Sequence, residues 1–310
     1  MNDVLDCLVI GAGPAGLTAA VYLARFHLTI AVVDAGKSRA ALIPRTHNHA
    51  GYPGGIPGRD LLRLMRAQAG EFGVEVEPAV IESLERADGV FLARSDDHEW
   101  RARTVLLATG VVNRPPNISP ELHDTALARG LLRYCPICDG YEVTDKRVGV
   151  IGTSTHGFKE AMFLRMYTAS VTLISQDTEH DLSQEERRTL AEAGVALVDG
   201  PCGSLQLKTH SIVVPTPQRD ADFDSVYPAL GSVIRSELAI SLGADATDEG
   251  CLSVDSHQRT SIAGLYAAGD VAKGLDQISH AMGEAGVAAT TIRNDLANLQ
   301  PMLRGGRRRT

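Results

Sequence analysis

A chain of 310 residues has the length of about two domains and enough material for a full core. Its 44% apolar and 22% charged residues are ordinary globular usage and exclude an intrinsically disordered chain. The formal net charge of −8, from 30 basic and 38 acidic residues, excludes a dedicated nucleic-acid binder, which needs a basic face. Glycine is frequent (30 residues) and aromatics scarce (5%), the composition of a fold with many tight turns or of a merely loop-rich one. The N-terminus enters an apolar segment with no basic region before it, so no signal peptide is expected. No apolar stretch approaches the roughly 18 residues of a membrane span. Five cysteines (Cys7, Cys135, Cys138, Cys202, Cys251) are an odd, sparse set. They read as cytoplasmic thiols rather than a disulfide framework.

Taken in chain order, residues 4–10 form a buried strand, followed by Gly11-Ala12-Gly13-Pro14-Ala15-Gly16 and a helical run through Leu17, Ala20, Leu23 and Ala24. A second apolar strand at 30–33 ends on Asp34. Strand, glycine turn, helix, strand and acid are the parts of a dinucleotide-binding βαβ unit. Gly11 makes the turn, Gly13 admits a pyrophosphate, and Gly16 lets helix and strand pack closely. The helix N-terminus faces the phosphates, and Asp34 is placed for a ribose hydroxyl. The competing reading is a tight structural turn.

The unit recurs. A strand at 146–151 leads into Gly152-Thr153-Ser154-Thr155-His156-Gly157, a helix at 158–167 and a strand at 171–174. Gly11 to Asp34 spans 23 residues, and so does Gly152 to Ser175. Serine therefore replaces both the middle glycine and the acid in the second copy. Residues 105–107 form a further strand ending in Ala108-Thr109-Gly110. The Pro-rich stretch 113–120 reads as a domain crossing, with the return between Gly231 and Gly243. Residues 264–268 lead into Gly269-Asp270-Val271, and a long helix runs from about Gln277 to Asn298. The expected fold class is α/β, two tandem three-layer Rossmann-like domains with the second inserted into the first. Residues 1–112 with 244–310 form one domain and 113–243 the other. Arg304, Arg307, Arg308 and Arg309 read as a solvated tail or a weak anion contact.

Cys135-Pro136-Ile137-Cys138-Asp139-Gly140 stands just before the second unit. Two thiols at this spacing suit a redox dithiol, half of a zinc site, or unrelated buried thiols. The zinc reading lacks a second Cys-x-x-Cys, and His123 is the only histidine shortly upstream. Asp139 is placed to move a proton to or from a thiol, or to serve as a helix N-terminal acid.

These motifs, with Ala267-Ala268-Gly269-Asp270-Val271 and Gln277-Ile278, resemble the low-molecular-weight, bacterial-type thioredoxin reductase family nearly end to end. The resemblance implies FAD in the first domain, held by Gly11, Gly13, Pro14, Ala15, Gly16, Asp34, Ala35, Arg39, Val80, Thr109, Gly110, Gly269, Asp270, Gln277 and Ile278. Asn48 is a further flavin candidate, and His47, His49 and His280 are polar groups expected near the flavin or in structural roles. It implies Cys138 as the flavin-proximal thiol, Cys135 as the thiol that attacks substrate, and Asp139 as the acid–base residue. It also implies a homodimer whose domains rotate, and a thioredoxin-like protein or small disulfide or dithiol as partner.

The departures concern the pyridine nucleotide. The family's G-x-G-x-x-A reads Gly152 to Gly157 here, with Ser154 in the middle. Its basic run after the next strand is replaced by Ser175-Gln176-Asp177. A 2′-phosphate needs an arginine fork, and Asp177 repels it. NADPH in the usual mode is therefore not expected, NADH is less excluded, and Arg187 and Arg188 read as a solvated helix face. Residues 34–39 with the loop 46–53 also differ from the family's usual flavin loop and are similar to divergent relatives without a working nucleotide site. The resulting expectation is a FAD-dependent thiol–disulfide oxidoreductase. The rivals are an oxygen-using dithiol oxidase, a ferredoxin- or second-flavin-dependent reductase, and a redox sensor without fast turnover.

Overall fold

The computed structural model describes residues 4–303, so the arginine-rich tail lies outside the described residues. Along the chain, β1 (Leu5–Ile10), α1 (Pro14–Arg25) and β2 (Ile30–Asp34) are followed by α2 (Gly58–Gly70) and β3 (Val76–Pro78). Then come β4 (Ser83–Ala87), β5 (Val90–Arg94), β6 (Glu99–Leu107) and β7 (Val111–Asn113). Next are α3 (Pro120–Ala128), α4 (Pro136–Asp139), β8 (Val148–Ile151), α5 (Ser154–Leu164), β9 (Val171–Ile174), α6 (Gln184–Glu192) and β10 (Ala196–Val198). Strands β11 (Gln206–Leu207), β12 (Ile212–Val214), β13 (Ala221–Phe223), β14 (Ser225–Pro228) and β15 (Ser232–Ile234) follow. The chain closes with α7 (Glu237–Ile240), β16 (Leu265–Ala267) and α8 (Ile278–Leu299). No helix among the described residues is long and apolar enough to cross a membrane.

Contacts divide the chain into two units: 1–41, 59–111 and 234–310 in the first, 42–58 and 112–233 in the second. Two stretches fall differently from the sequence-based boundaries. Residues 42–58 cluster with the second unit, where Thr46 and Ile56 bridge to each other and Asn48 bonds Ile137. Residues 234–243 cluster with the first, because Arg235 bonds Gly110 through the backbone and α7 packs on β4.

In the first unit, β3-β2-β1-β6 is parallel, and the antiparallel hairpin β5-β4 extends it. Strand β6 is long enough to take β5 along residues 99–102 and β16 along 105–107. One face of this sheet is a core of Leu8, Ile10, Val33, Phe91, Trp100 and Val105, capped by residues such as Ala239, Leu252 and Val271. Helix α1 packs along α8, and the buried positions of the two helices are largely alanine (Ala15, Ala19, Ala20; Ala281, Ala285, Ala288). Small side chains let the two helices approach closely.

The second unit carries the parallel sheet β10-β9-β8-β14 and an antiparallel sheet β11-β12-β13. One core (Val148, Leu173, Leu164, Leu190) packs α5 and α6 on the parallel sheet. A second (Ile151, Ile174, Leu127, Ile212, Phe223) packs α3 and the small sheet against its other face. Two Rossmann-like α/β units thus occur in tandem, as the repeat predicts. Helix α5 starts four residues earlier than expected, at Ser154.

The glycine turn of the first unit is a steric requirement. A Cβ on Gly16 would lie 1.8 Å from the Gly11 carbonyl oxygen, whereas one on Gly36, at φ +74°, would meet nothing within 4 Å. Gly16→Ala should therefore destabilise the first unit by about 3 kcal/mol, since backbone cannot step aside. Gly36→Ala should cost about 1 kcal/mol of left-handed strain. Melting temperatures of the two variants, measured together, check the ranking; equal values would contradict it.

Candidate functional site

In the first unit, β1 delivers its last residue into a turn built for close approach. Gly11 has φ +105°, and a Cβ there would lie 2.3 Å from the Ala108 carbonyl oxygen. Gly13 is the N-cap of α1, with Pro14 at the first helical position, no side chain capping the helix and no acid in its first turn. A helix start that carries backbone N–H groups and no competing carboxylate suits an anion. Asp34, at the end of β2, accepts from Ala12 N–H (3.0 Å) through Oδ1 and from Gly36 N–H (3.1 Å) through Oδ2. Arg66 stands 3.4 Å from the same carboxylate. Asp34 thus ties the glycine turn to the next loop.

The other named residues of this unit fall into two groups. Arg39 Nη1 lies 3.0 Å from both Asp270 Oδ2 and Asp276 Oδ2, so the residue expected at the cofactor pairs with the residue expected at the ribitol. Burial and the neighbouring Asp270 charge push the Asp276 carboxyl above its usual range. Glu284 Oε2 accepts the Gly269 N–H at 2.7 Å, and its Oε1 lies 3.0 Å from His280 Nε2. The pair anchors the Gly269-Asp270 turn to α8. Thr109, in contrast, spends its hydroxyl on the Arg235 carbonyl (2.6 Å), and Val80 is an exposed side chain. Gln277 is the N-cap of α8, with Ile278 its first residue, and the Gln277 amide donates to the Asp276 carbonyl. Asp276 and Glu284 were missed by sequence reasoning. Glu284 had a signal, as a lone acid between Ala281, Ala285 and Ala288 on the buried stripe of α8.

The second unit holds the thiols. Cys135 is the N-cap of α4, in extended conformation, with Pro136 beginning the turn. The Cys138 N–H donates to the Cys135 carbonyl (2.9 Å), which brings the side chains together, and the two form a disulfide. Asn48 donates to the Ile137 carbonyl at 3.4 Å within this unit and accepts from the Thr46 hydroxyl at 2.9 Å. The candidate flavin residue of the 46–53 loop therefore touches the redox turn. His49 stacks on Tyr52. Asp139, directly after Cys138, accepts from Arg133 Nη1 (2.9 Å) and from the Tyr227 hydroxyl (2.9 Å). Burial pushes its carboxyl above the usual range, against the pull of the Arg133 charge. Sequence reasoning found Asp139 but not its two partners.

The second glycine turn keeps its scaffold. A Cβ on Gly152 would lie 2.9 Å from the Ala229 carbonyl oxygen, and one on Gly157 would lie 3.0 Å from Gly152. The recognition end differs. Ser154 takes φ +58°, the left-handed region, where the matching Gly13 sits at φ −76°. Ser175 is fully buried and its hydroxyl has no hydrogen-bond partner. Past β9 the chain is zipped to residues 198–202, through Ser175 N–H to Val198 O, Gly200 N–H to Thr178 O and Cys202 N–H to Gln176 O. The His180 ring is buried against the Leu173 and Val198 carbonyls, and burial lowers its pKa. Arg187 donates to the His180 carbonyl at 2.6 Å, so it braces this segment rather than lying free on the helix face.

Comparison with known proteins matches this arrangement. The family model described as pyridine nucleotide-disulphide oxidoreductase matches residues 5–285. A thioredoxin reductase of Treponema pallidum (strain Nichols) is 30% identical over 97% of this chain and 100% of its own length. One of Streptomyces clavuligerus is 31% identical over 94% of this chain and 91% of its own. The crystal structure of thioredoxin reductase from Streptococcus pyogenes superposes with a TM-score of 0.88 at 27% identity, covering 96% of this chain and 100% of that one. The atypical thioredoxin reductase TRi of Desulfovibrio vulgaris Hildenborough is 31% identical with a TM-score of 0.54, covering 96% and 99%. With a disulfide turn, two Rossmann-like units and relatives matched over nearly their full length, this chain belongs to the pyridine nucleotide-disulphide oxidoreductases, as a flavin-dependent disulfide oxidoreductase of the low-molecular-weight thioredoxin reductase family.

Proposed function

We propose that the enzyme moves electrons between FAD and the Cys135/Cys138 pair, and between that pair and an external disulfide or dithiol, without drawing on NADPH in the usual mode. The observation that carries the thiol chemistry is the disulfide at the start of α4, followed at once by a carboxyl held by two donors. FAD, when bound, supplies a two-electron store. The residues that would hold it are Gly11, Gly13, Pro14, Ala15 and Gly16 at the pyrophosphate, Asp34 at the adenosine ribose and Asp270 at the ribitol. Ala35, Arg39, Val80, Thr109, Gly110, Gly269, Gln277 and Ile278 complete the set. The start of α1 supports this fit, with glycine at the N-cap, no side chain capping it and no acid in its first turn.

Cys138 exchanges electrons with the flavin in this reading and Cys135 attacks the substrate. Asp139 takes the Cys138 proton and returns it to the departing substrate thiolate, because only a thiolate attacks a disulfide. The relatives' names support a thioredoxin-like partner, with small disulfides as the other substrate class. A cytoplasmic homodimer is part of the same reading, supported by the family likeness and the sparse cysteines.

The doubly altered second turn argues against NADPH. Ser154 places a side chain and a left-handed residue where the matching position is glycine. Ser175 is buried, and no arginine or lysine occurs from 175 to 180. These observations favour another electron route. Ferredoxin, a second flavin or oxygen would then exchange electrons with the enzyme.

Cys135→Ser and Cys138→Ser are each expected to abolish disulfide turnover while the flavin spectrum of the purified protein is retained. Disulfide reduction surviving in either variant would contradict the assignment. In an anaerobic titration, NADPH is expected to leave the oxidised flavin band unbleached at stoichiometric addition. Prompt stoichiometric bleaching would restore NADPH as donor. Oxygen uptake on adding a small dithiol would select the oxidase direction, and negligible turnover with every donor would select a redox sensor.

A further inference from the structure

Asp139 follows the disulfide directly and is held by two side-chain donors, and its surroundings explain more than its own position. We propose that Arg133 and Tyr227 are positioning residues of the thiol–disulfide step, which clamp the Asp139 carboxylate, one donor on each oxygen, beside the Cys135/Cys138 pair. The inference rests on the role given to Asp139 above.

The clamp is prepared by the fold. Arg133 Nη1 donates to Oδ2 and the Tyr227 hydroxyl to Oδ1, each at 2.9 Å. The Tyr227 hydroxyl also lies 3.2 Å from the Asp139 backbone carbonyl. The guanidinium is held at its other edge, where Nε donates to the Gly130 carbonyl at 3.0 Å. That carbonyl takes a second bond from the Ser225 hydroxyl at 2.9 Å. Gly130 has φ +67°, which favours glycine, and a Cβ there would lie 2.7 Å from Arg133 Nη2 and displace the guanidinium from this position. The Arg133 N–H donates to the Val226 carbonyl at 2.9 Å, and Tyr227 is the next residue of β14. One strand therefore registers both donors. Tyr227 is fully buried, and the Arg133 and Asp139 side chains are only 16% and 21% exposed.

The charge pattern around the carboxyl is a balance. Arg133 and Tyr227 favour the ionised form, while burial and the Glu142 charge oppose it. Glu160, on α5, feels the Asp139 charge in turn and is pushed up to about 7, chiefly by burial. On protonation Arg133 would keep a bond only to a neutral carbonyl oxygen, and the Tyr227 hydroxyl would have to reverse and accept, so both charge-assisted bonds would be lost. The pair thus holds Asp139 as a base at a pH where burial alone would neutralise it.

In the exchange step, the Cys135 thiolate attacks a substrate sulfur, forming a mixed disulfide and releasing one substrate thiolate. That thiolate takes up the proton Cys135 gave to solvent. The Asp139 carboxylate accepts the Cys138 proton. The Cys138 thiolate then attacks Cys135, the Cys135–Cys138 bond forms, and the mixed disulfide breaks. Asp139 returns its proton to the second departing thiolate. Two electrons pass from the pair to the substrate.

The test uses the flavin-loaded enzyme in two ways. First, infrared difference spectra against Asp139→Asn isolate the protonated Asp139 carbonyl band, which is followed across about pH 4 to 9. Second, enzyme reduced with a phosphine and freed of it is mixed with hydroxyethyl disulfide, and thiol release in a single turnover is followed over the same range. Arg133→Gln is expected to move the band midpoint up by about one pH unit and to slow exchange about tenfold below it. Arg133→Lys should restore most of the midpoint, and Tyr227→Phe should move it upward by less. If Arg133→Gln does not fold, Tyr227→Phe, which removes a single hydroxyl, reads the same midpoint. Midpoints unmoved in the variants that fold overturn the clamp. Asp139→Asn exchanging at the wild-type rate would instead overturn the role of Asp139, a result that does not depend on where the midpoint lies.

Discussion

The carbonyl of Gly11 lies so close over Gly16 that no side chain fits between them, and both units of the chain are organised around that contact or its copy. It fixes the angle at which a helix leaves its strand, and so where the helix start points. In the first unit the helix start is left uncapped by any side chain, with a glycine at the N-cap. In the second the same backbone packing recurs at Gly152 and Gly157, but the residues at the tips have changed. Packing and tip residues vary separately: glycine stands where strand and helix meet in both units, whereas the tip holds Gly13 in the first and Ser154 in the second.

Three largely buried acids are each held by hydrogen-bond donors. Asp34 takes two backbone N–H groups, Glu284 takes one together with His280, and Asp139 takes an arginine and a tyrosine. A buried carboxylate without such partners would cost several kcal/mol, so each pairing is a condition of the fold as well as of the site. The three differ in purpose. Asp34 and Glu284 organise backbone turns, whereas Asp139 adjoins the only disulfide among the described residues.

Much of the architecture was legible because it is local. Strands β1, β2, β8 and β9 are short apolar runs ended by glycine or a polar residue, and α1 and α8 have helical periodicity. Cys135 and Cys138 are three residues apart, and their disulfide follows from one turn of helix. The hairpin β4-β5 was not read, since its solvent-facing residues dilute the apolar pattern. Tyr227 could not be connected to Asp139, because 88 residues separate them and only β14 brings them together. Asn48 was readable only as a candidate polar group in a loop, and its contact with Ile137 depends on how that loop folds. The fate of Arg187 was hidden for the same reason: a helix-face arginine looks solvated until the chain beyond β9 folds back beneath it.

The ends of the inserted unit meet at Gly110 and Arg235, where the Arg235 N–H bonds the Gly110 carbonyl and the Thr109 hydroxyl bonds the Arg235 carbonyl. To the first unit, the insertion is a loop whose closure entropy grows only with the logarithm of its length. Order of synthesis adds a consequence. Every residue of the second unit precedes position 234, while the first unit still lacks β16 and α8 at that point. On the ribosome the inserted unit is complete before its host, and α1 must wait with its alanine face uncovered until α8 emerges.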